Sequence, residues 1–254
     1  MSITSLAIKF AAPMPRLESF ERYLFVGPHP DDIEIGAGAT AAKLAGLGKS
    51  VAFLCCIDGR YGSSVTPPDE LIRIRQEEAR SCAKALGITD VRFLPFCDGG
   101  FYDSRELKGA IAKVVGEFKP DVILCPDHRV KSECHPDHLN VGAAASELAY
   151  LAPYSGIMAR YGAESAPVKA VAYFMTASPN RYVRTSKALL ERQLDAIFSC
   201  HKSQFPDGSA EGRAIALYLR LRSFDFGLRC GALHAEGFRM LDATRMHCLP
   251  EAGK

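Results

Sequence analysis

The sequence lacks an excess of charge, a long apolar run and a recognisable export signal. Its 31 basic and 29 acidic residues give a formal net charge of +2, so electrostatics provide no reason to expect a nucleic acid as partner. No stretch approaches the roughly 18 consecutive apolar residues of a membrane span. Residues 1–15 contain no basic segment followed by a long apolar stretch, so we expect no signal peptide and a cytoplasmic location.

The sequence also lacks the cysteine pattern of a disulfide scaffold. Its nine cysteines are odd in number and include no C-x-x-C pair. Five of them lie in or beside apolar runs, which favours buried, reduced thiols: Cys55, Cys56, Cys97, Cys125 and Cys200. Cys134 differs because it precedes His135, and a thiol beside a metal site could become an adventitious ligand.

Apolar runs alternate with helix-compatible stretches along most of the chain. Strands are predicted at residues 23–26, 50–57, 91–96, 120–126 and 169–174. Helices are predicted after the first strand and at about 69–86, 104–118, 135–150, 186–201 and 210–222, followed by an irregular tail. This order predicts an α/β, Rossmann-like fold with a mostly parallel sheet, helices on both faces and right-handed crossovers. No repeat or linker-like composition divides the chain, so we expect a single domain over residues 1–254.

The most informative stretch is an apolar strand that stops at a cluster of polar residues. His29, Asp31 and Asp32 follow this strand directly, and prolines on both sides of His29 hold the backbone extended. Imidazole nitrogen and carboxylate oxygen together suit zinc. In the alternative interpretation, Asp31 or Asp32 only caps the next helix and His29 is a packed turn residue.

A second polar cluster begins the helix predicted at residues 135–150. His135 and His138 are three residues apart, so in a first helical turn they can face the same region. Asp137 could fix the tautomer of a neighbouring imidazole, as metal-bound histidines usually need. Helix capping is the alternative interpretation of this cluster. Because parallel strands share one carboxyl edge, both clusters are expected there, together with Asp58, Arg60 and Asp98.

The two clusters together contain the groups that metal-assisted amide hydrolysis needs. Three protein ligands and one open position are typical of a catalytic zinc, and His29, Asp32 and His138 would fill the three. Zinc lowers the pKa of its bound water to about 7. Asp31 would act as the general base and His135 would stabilise the oxyanion. We therefore expect one Zn²⁺ per chain, although another divalent metal could serve.

The segments 28–36 and 135–138 resemble the signature of the zinc-dependent de-N-acetylases of the PIG-L/LmbE family. The resemblance continues through residues 58–62, 75–79, 98–100, 200–204 and 234–238. It implies the same zinc ligands and aspartate base, His135 as the oxyanion-stabilising histidine, and a small N-acetylated amino sugar as substrate. The family is related to the enzymes that deacetylate N-acetylglucosaminyl-phosphatidylinositol and the N-acetylglucosaminyl precursors of mycothiol and bacillithiol.

The chain departs from this family pattern after its second strand. Many members carry Gly-Glu-x-Gly where this sequence has Gly59-Arg60-Tyr61-Gly62. The replacement of this glutamate by Arg60 affects the predicted contact with substrate rather than the chemistry of hydrolysis. A guanidinium can bind hydroxyls, phosphate or carboxylate. Arg60 and Asp98 are the candidate substrate-binding residues. Alternatively, Arg60 pairs with an acidic neighbour and only stiffens its loop.

Other functions remain open at this point. A dinucleotide-binding domain is disfavoured because Gly36-Ala37-Gly38 lacks a third glycine and follows a carboxylate cluster that would repel phosphates. A zinc-dependent amidase acting on another sugar-linked amide, such as a thiol conjugate, would use the same site. So would a sugar-binding relative that has lost the reaction. The sequence does not identify the group attached to the sugar, and the chain could form a homo-oligomer.

Overall fold

The computed structural model describes residues 11–247 of the chain. Most of the segment on which the expected lack of an export signal rests, residues 1–10, lies outside this range. The strands are β1 (Arg22–Gly27), β2 (Ser50–Ile57), β3 (Asp90–Phe96), β4 (Val122–Pro126), β5 (Ala170–Phe174), β6 (Arg181–Arg184) and β7 (Ala235–Asp242). The helices are α1 (Asp32–Gly46), α2 (Pro68–Leu86), α3 (Ser104–Phe118), α4 (Pro136–Leu151), α5 (Ser155–Arg160), α6 (Lys187–Cys200), α7 (Ala210–Arg229) and α8 (Ala243–Met246). Among these helices, none combines the length and apolar character needed to cross a bilayer.

The strands form one sheet in the order β3-β2-β1-β4-β5-β7-β6. Strands β3, β2, β1, β4 and β5 are parallel to one another. Strand β7 runs antiparallel to β5 on one side and to β6 on the other. The predicted mostly parallel α/β sheet is therefore confirmed.

Helices cover both faces of the sheet because the side chains of each strand alternate. Tyr23 and Phe25 of β1 pack in a core with apolar residues of α1, α2, α6 and α7. Leu24 and Val26 of the same strand pack on the opposite face, mainly against α3 and α4. All four side chains are fully buried, as expected for a parallel strand with helices on both sides.

The prediction of an irregular tail after residue 222 was wrong. Helix α7 continues to Arg229, and β7 then enters the interior of the sheet between β5 and β6. Strand β7 reads Ala-Glu-Gly-Phe-Arg-Met-Leu-Asp, and its charged residues and glycine obscure the apolar pattern of a strand. Its ladder partners lie far away in the sequence, so tertiary pairing rather than local propensity determines this strand.

Helix α1, which starts at the candidate site, is broken at Ala37, where φ is −154° and ψ is 21°. The break leaves backbone groups without partners inside the helix. The Gln193 side chain donates to the Glu34 carbonyl at 2.8 Å. The Glu236 carboxylate of β7 accepts from the amides of Ala39 at 3.2 Å and Thr40 at 2.6 Å. Two distant side chains therefore stabilise the break and fix the first turn of α1.

Candidate active site

The carboxyl edge of the parallel strands gathers the polar residues that the sequence singles out. His29 follows β1, Asp58 follows β2 and Asp98 follows β3, while His138 lies in the first turn of α4, in the connection after β4. His29, Asp31 and Asp32 are each only 7% exposed. The structure therefore brings both predicted clusters to one partly enclosed place.

His29, Asp32 and His138 form a compact set of potential metal ligands. The Oδ2 atom of Asp32 lies 3.2 Å from Nδ1 of His29 and 3.4 Å from Nε2 of His138. One donor atom from each residue lies within 4.8 Å of the others. Two imidazole nitrogens and one carboxylate oxygen form the mixed N/O set that zinc accepts with a further position open. The donor chemistry of these residues therefore fits a divalent metal.

The second ring nitrogen of each histidine faces a carboxylate. Nε2 of His29 lies 3.2 Å from Asp137 Oδ2 and 3.2 Å from Asp98 Oδ1. Nδ1 of His138 lies 3.1 Å from Glu133 Oε2. Metal-binding histidines usually donate this second N–H to a carboxylate or carbonyl, which fixes the tautomer and the ring orientation. The arrangement supports Nδ1 of His29 and Nε2 of His138 as the atoms that would bind metal.

Asp137 is held rigidly behind His29. Its fully buried carboxylate accepts from the amides of Gly99 at 2.8 Å and Gly100 at 2.9 Å, and from the Tyr102 hydroxyl at 2.8 Å. Both glycines have positive φ, 85° and 81°, a conformation that costs glycine little and lets successive amides converge on one carboxylate. Burial opposes ionisation of Asp137, but His29 and these donors outweigh it and lower its pKa.

The charges around His29 favour a cation at this place. Burial disfavours a charged imidazole, yet hydrogen bonds to Asp137, Asp32 and Asp98 outweigh it and raise the pKa of His29 to about 12. Burial also opposes ionisation of Asp32, but His138 and His29 hold its pKa well below the usual value. A divalent metal would supply positive charge among the same carboxylates.

Asp31 lies beside the ligand set but is held by a different partner. Nη2 of Arg75 donates to Asp31 Oδ2 at 3.2 Å, and both side chains are almost fully buried. Asp31 has a φ of 154°, which is unusual for a residue other than glycine. Its side chain makes no capping hydrogen bond to α1, so the helix-cap interpretation does not describe Asp31. Burial, opposed by Arg75, raises the pKa of Asp31 to about 6.

Arg75 was not among the site residues predicted from the sequence, although it lies in the segment 75–79. The buried face of α2 includes Leu71, Arg75, Ala79, Cys82 and Leu86. A charged residue on the apolar face of an amphipathic helix is a signal that could have been recognised, because a buried guanidinium needs a partner. Arg75 also donates to the Gly59 carbonyl at 3.2 Å. Glu133 and Tyr102 had no comparable sequence signal.

His135 caps helix α4 with its side chain. Its Nδ1 accepts from the Asp137 amide at 3.3 Å, which leaves the ring proton of a neutral imidazole on Nε2. The side chain is 43% exposed, and its ring centroid lies 4.8 Å from that of His29 and 5.1 Å from that of His138. The helix-capping interpretation therefore applies to His135. Because Nδ1 faces the helix, the N–H donor at Nε2 points away from it.

The two predicted substrate-binding residues lie at the same edge with partners of their own. Nη2 of Arg60 donates to Asp58 Oδ2 at 2.6 Å, and Nε donates to the same atom at 2.9 Å. This is the acidic neighbour that the alternative interpretation of Arg60 expects. Asp98 accepts from the Tyr61 amide at 3.3 Å and contacts His29. Substrate contact by Arg60 or Asp98 stays a prediction.

Several segments that carry the family resemblance contact one another behind the site. Glu78 of α2 accepts from the amide of Ser203 at 2.8 Å and from its hydroxyl at 2.5 Å. Gln204 donates to the Gly62 carbonyl at 3.3 Å. These bonds tie the segment after α6 to α2 and to the loop after β2. The segments 58–62, 75–79 and 200–204 therefore meet in the fold.

A buried pair lies beneath the first turn of α1. Nε2 of His201 is 3.4 Å from Oε1 of Glu34, and neither side chain is more than 1% exposed. Burial disfavours the charged imidazole, but Glu34 outweighs it and raises the pKa of His201. Both residues lie in segments that carry the family resemblance, 28–36 and 200–204, but the sequence alone assigned them no role. The positive charge of His201 partly opposes the rise that burial causes in the pKa of Asp31.

Three of the five thiols that were predicted to be buried are buried. Cys55, Cys56 and Cys125 are buried free thiols, as predicted, whereas Cys97 and Cys200 are partly exposed. In residues 11–247, Cys134 belongs to none of the side-chain groups that could hold a metal.

Gly36 and Gly38 lie within α1 rather than in a phosphate-binding loop. A Cβ atom at Gly36 would lie 2.4 Å from the Phe174 ring, so this glycine serves close packing.

Comparison with known proteins places these observations in a family. The profile described as PIG-L, GlcNAc-PI de-N-acetylase, matches residues 24–149. Diacetylchitobiose deacetylase from Thermococcus kodakarensis is 32% identical over 237 residues, which cover 91% of this chain and 87% of that protein. The 1D-myo-inositol 2-acetamido-2-deoxy-alpha-D-glucopyranoside deacetylase from Kineococcus radiotolerans is 31% identical over 206 residues, covering 68% of this chain and 56% of that protein.

A solved structure supports the same conclusion. The N,N'-diacetylchitobiose deacetylase from Pyrococcus horikoshii, determined with an inhibitor, is 28% identical to this chain. The two structures superpose with a TM-score of 0.86 over 98% of this chain and 97% of the other. Similarity of sequence and fold therefore extends over nearly the whole chain, and the chain belongs to the PIG-L family of de-N-acetylases.

Proposed function

We propose that the chain hydrolyses the N-acetyl group of an N-acetylglucosaminyl-type substrate, releasing acetate and a free amino sugar. The observation that carries this proposal is the placement of a buried carboxylate and an imidazole donor beside a His-Asp-His ligand set. Asp31 and His135 both lie next to these ligands. Asp31 contacts Arg75, and His135 accepts a hydrogen bond from the first turn of α4. Ligands, base and donor are the parts that amide hydrolysis requires.

The proposed metal site consists of His29, Asp32 and His138, with one ion per chain. The Asp137 and Glu133 carboxylates orient the two imidazoles. A bound Zn²⁺ would supply Lewis-acid chemistry, polarising the acetamide carbonyl and activating a water molecule. Zinc is proposed over other divalent metals because two imidazole nitrogens and one carboxylate oxygen suit it well.

The protein residues carry out the proton transfers. Asp31 accepts a proton from the attacking water while the water oxygen forms a bond to the acetamide carbon. His135 donates a hydrogen bond from Nε2 to the oxygen that becomes negative in the tetrahedral intermediate. The carbon–nitrogen bond then breaks, and Asp31 returns the proton to the leaving amine. Arg75 holds Asp31 in place and favours its ionised form.

The substrate class is proposed from the relatives. The T. kodakarensis and P. horikoshii proteins are named as deacetylases of diacetylchitobiose, and the K. radiotolerans protein as a deacetylase of an N-acetylated amino sugar linked to inositol. These names share an N-acetylated glucosamine unit and differ in the attached group. We propose the shared unit as the part of the substrate that this chain recognises.

A direct experiment compares acetate release from N-acetylglucosamine, N,N'-diacetylchitobiose and an N-acetylglucosaminyl inositol. The protein is assayed as purified, after removal of metal with a chelator, and after addition of zinc. We expect acetate from at least one compound, loss of activity with the chelator and recovery with zinc. Acetate release that persists in metal-free protein would contradict the proposed chemistry. Failure of the zinc-loaded protein on every compound would contradict the proposed substrate class.

We also propose a single domain over residues 1–254, a cytoplasmic location and assembly as a homo-oligomer. The continuous seven-stranded sheet supports the first proposal. Free thiols in the described part of the chain support a reducing compartment. Fractionation of cells that produce the full chain tests the location, and recovery in an exported fraction would contradict it. The exposed apolar side chains of Leu217, Leu221 and Leu228 on α7 support assembly.

A further inference from the structure

Two exposed aromatic side chains lie at the rim of the candidate active site. Tyr61, in the loop after β2, is 57% exposed, and Phe101, in the loop after β3, is 75% exposed. Within residues 11–247, neither ring belongs to one of the two hydrophobic cores. Tyr102, the neighbour of Phe101, instead packs on the second core and donates to Asp137. The fold therefore buries one ring of this loop and leaves the other at the surface.

Both exposed rings contact the short segment that follows β3. The Tyr61 hydroxyl lies 4.0 Å from the Cys97 Sγ atom. A Cβ atom placed on Gly99 would lie 3.2 Å from the Phe101 ring. Along the segment, Asp98 lies between these two points of contact. The two rings are therefore neighbours at the carboxyl edge of the sheet, although 40 positions separate them in the sequence.

The backbone that carries the rings is tied to the proposed metal site. The Asp98 carboxylate lies 3.2 Å from Nε2 of His29 and accepts from the Tyr61 amide at 3.3 Å. The residue before Phe101 donates its amide to the Asp137 carboxylate at 2.9 Å. Both rings therefore extend from backbone that is fixed by the carboxylates orienting His29. Single exposed aromatic residues are ordinary, but neighbouring ones beside a site indicate a ligand-binding surface.

A sugar ring fits the chemistry of this surface. The axial C–H groups of a pyranose form an apolar face that packs on an aromatic ring, while its hydroxyls point outward at the ring edge. The Asp98 carboxylate and the Arg60 guanidinium lie beside the aromatic rings and can bond to such hydroxyls. A lipid chain would offer these polar groups no hydrogen bonds, so covering them with it would be unfavourable. The surface therefore suits a flat partner with an apolar face and a polar edge.

We propose that Tyr61 and Phe101 form a platform on which a second sugar ring stacks, the ring joined to the N-acetylglucosaminyl unit whose amide is hydrolysed. This inference rests on the proposed function, which places the first ring at the metal site. It assigns the chain a substrate of two or more joined rings, in preference to a free amino sugar or a lipid conjugate. The platform contacts the part of the substrate that does not react, so it contributes to binding and not to the hydrolytic step.

The first test compares kcat/KM for acetate release from N-acetylglucosamine and from N,N'-diacetylchitobiose. The wild-type chain should prefer the disaccharide. The double variant Tyr61→Ala, Phe101→Ala should lower kcat/KM for the disaccharide about 10-fold, the effect of losing an aromatic stacking contact, mainly through KM. Its kcat/KM for the monosaccharide should not change, because the single ring does not reach the platform.

Three further variants separate stacking from other effects. Tyr61→Phe keeps the ring and should keep the preference for the disaccharide, whereas Phe101→Leu keeps apolar bulk without a ring and should lose most of it. Tyr154→Ala is the matched control, because Tyr154 is a 48% exposed aromatic residue beyond the far end of α4. The 16 residues of that helix span about 24 Å from the site. Thermal unfolding of each variant identifies any loss that is due to misfolding.

The second test measures binding without turnover, so that it does not depend on the proposed reaction. Isothermal titration calorimetry of zinc-loaded Asp31→Asn should show tighter binding of the disaccharide than of the monosaccharide. Adding Tyr61→Ala and Phe101→Ala should remove about 10-fold of affinity for the disaccharide alone. A wild type that releases no acetate but shows this binding pattern would refute the proposed function and leave the platform supported. An equal loss for both sugars, or an unchanged preference in the folded double variant, would overturn the platform.

Discussion

Replacing Arg75 should raise the pH below which deacetylation activity falls. Its guanidinium contacts Asp31 at 3.2 Å with both side chains nearly inaccessible to water, so solvent screens the interaction weakly. The pKa of Asp31 is already raised to about 6, mainly by burial, while Arg75 opposes that rise. A general base must be ionised to work, so activity should fall as the pH drops through this value.

The magnitude follows from the contact. An arginine beside a carboxylate lowers its pKa by about 1–3 units, which corresponds to roughly 1.4–4 kcal/mol. In an Arg75→Met variant the acid side of the profile should therefore move to about pH 7–9. At pH 7 the ionised fraction of Asp31 would fall roughly 2- to 100-fold, and activity would fall with it. Arg75→Lys retains the charge and should shift the profile less.

The assay is kcat/KM for acetate release, measured from about pH 5 to pH 10. Arg73→Met serves as the matched control, because Arg73 is an exposed arginine on the same helix. The expected result is a loss in Arg75→Met that is large at low pH and largely recovered at high pH. An equal loss at every pH, in a variant that unfolds at the wild-type temperature, would show that Arg75 does not act through the ionisation of Asp31.

Other predictions concern the metal, the oxyanion and the substrate. Glu133→Gln should weaken zinc binding about 10- to 100-fold, because His138 loses its carboxylate partner; chelator competition measures this, and unchanged affinity would contradict the role. His135→Ala should lower kcat about 100- to 1000-fold with zinc retained, and a near-normal kcat would remove His135 from the mechanism. Arg60→Ala should raise KM more than it lowers kcat if Arg60 binds substrate. Normal KM with a lower unfolding temperature would instead show that its contact with Asp58 only stiffens the loop.

The position of the site was predictable because one physical rule connects distant parts of the chain. Apolar runs that end in polar residues predict parallel strands whose carboxyl ends meet at one edge. His29 after β1 and His138 in the first turn of α4 therefore come together although more than a hundred residues separate them. The spacing of His135 and His138 also indicated a helical first turn, and the structure begins α4 at Pro136.

The remaining features depend on contacts that have no local sequence signature. The break in α1 is held by Gln193 of α6 and Glu236 of β7, each more than 150 residues away. Strand β7 was missed because its pairing with β5 and β6 outweighs a weak apolar pattern. The role of Arg75 could only be inferred from its distance to Asp31, since helical spacing shows that an arginine is buried but not what it contacts.

The most direct test of the proposed function combines turnover and metal content in Asp31→Asn. Asparagine keeps the shape of the side chain but cannot accept the proton, and loss of a general base typically costs about 10²- to 10⁴-fold in rate. The variant should lose acetate release to that extent while still binding one zinc per chain, whereas a His29→Ala, His138→Ala double variant should lose the metal as well. His234→Ala, outside the proposed ligand set, should retain both. Near-normal acetate release by zinc-loaded Asp31→Asn would contradict the assignment of Asp31 as the base in this site.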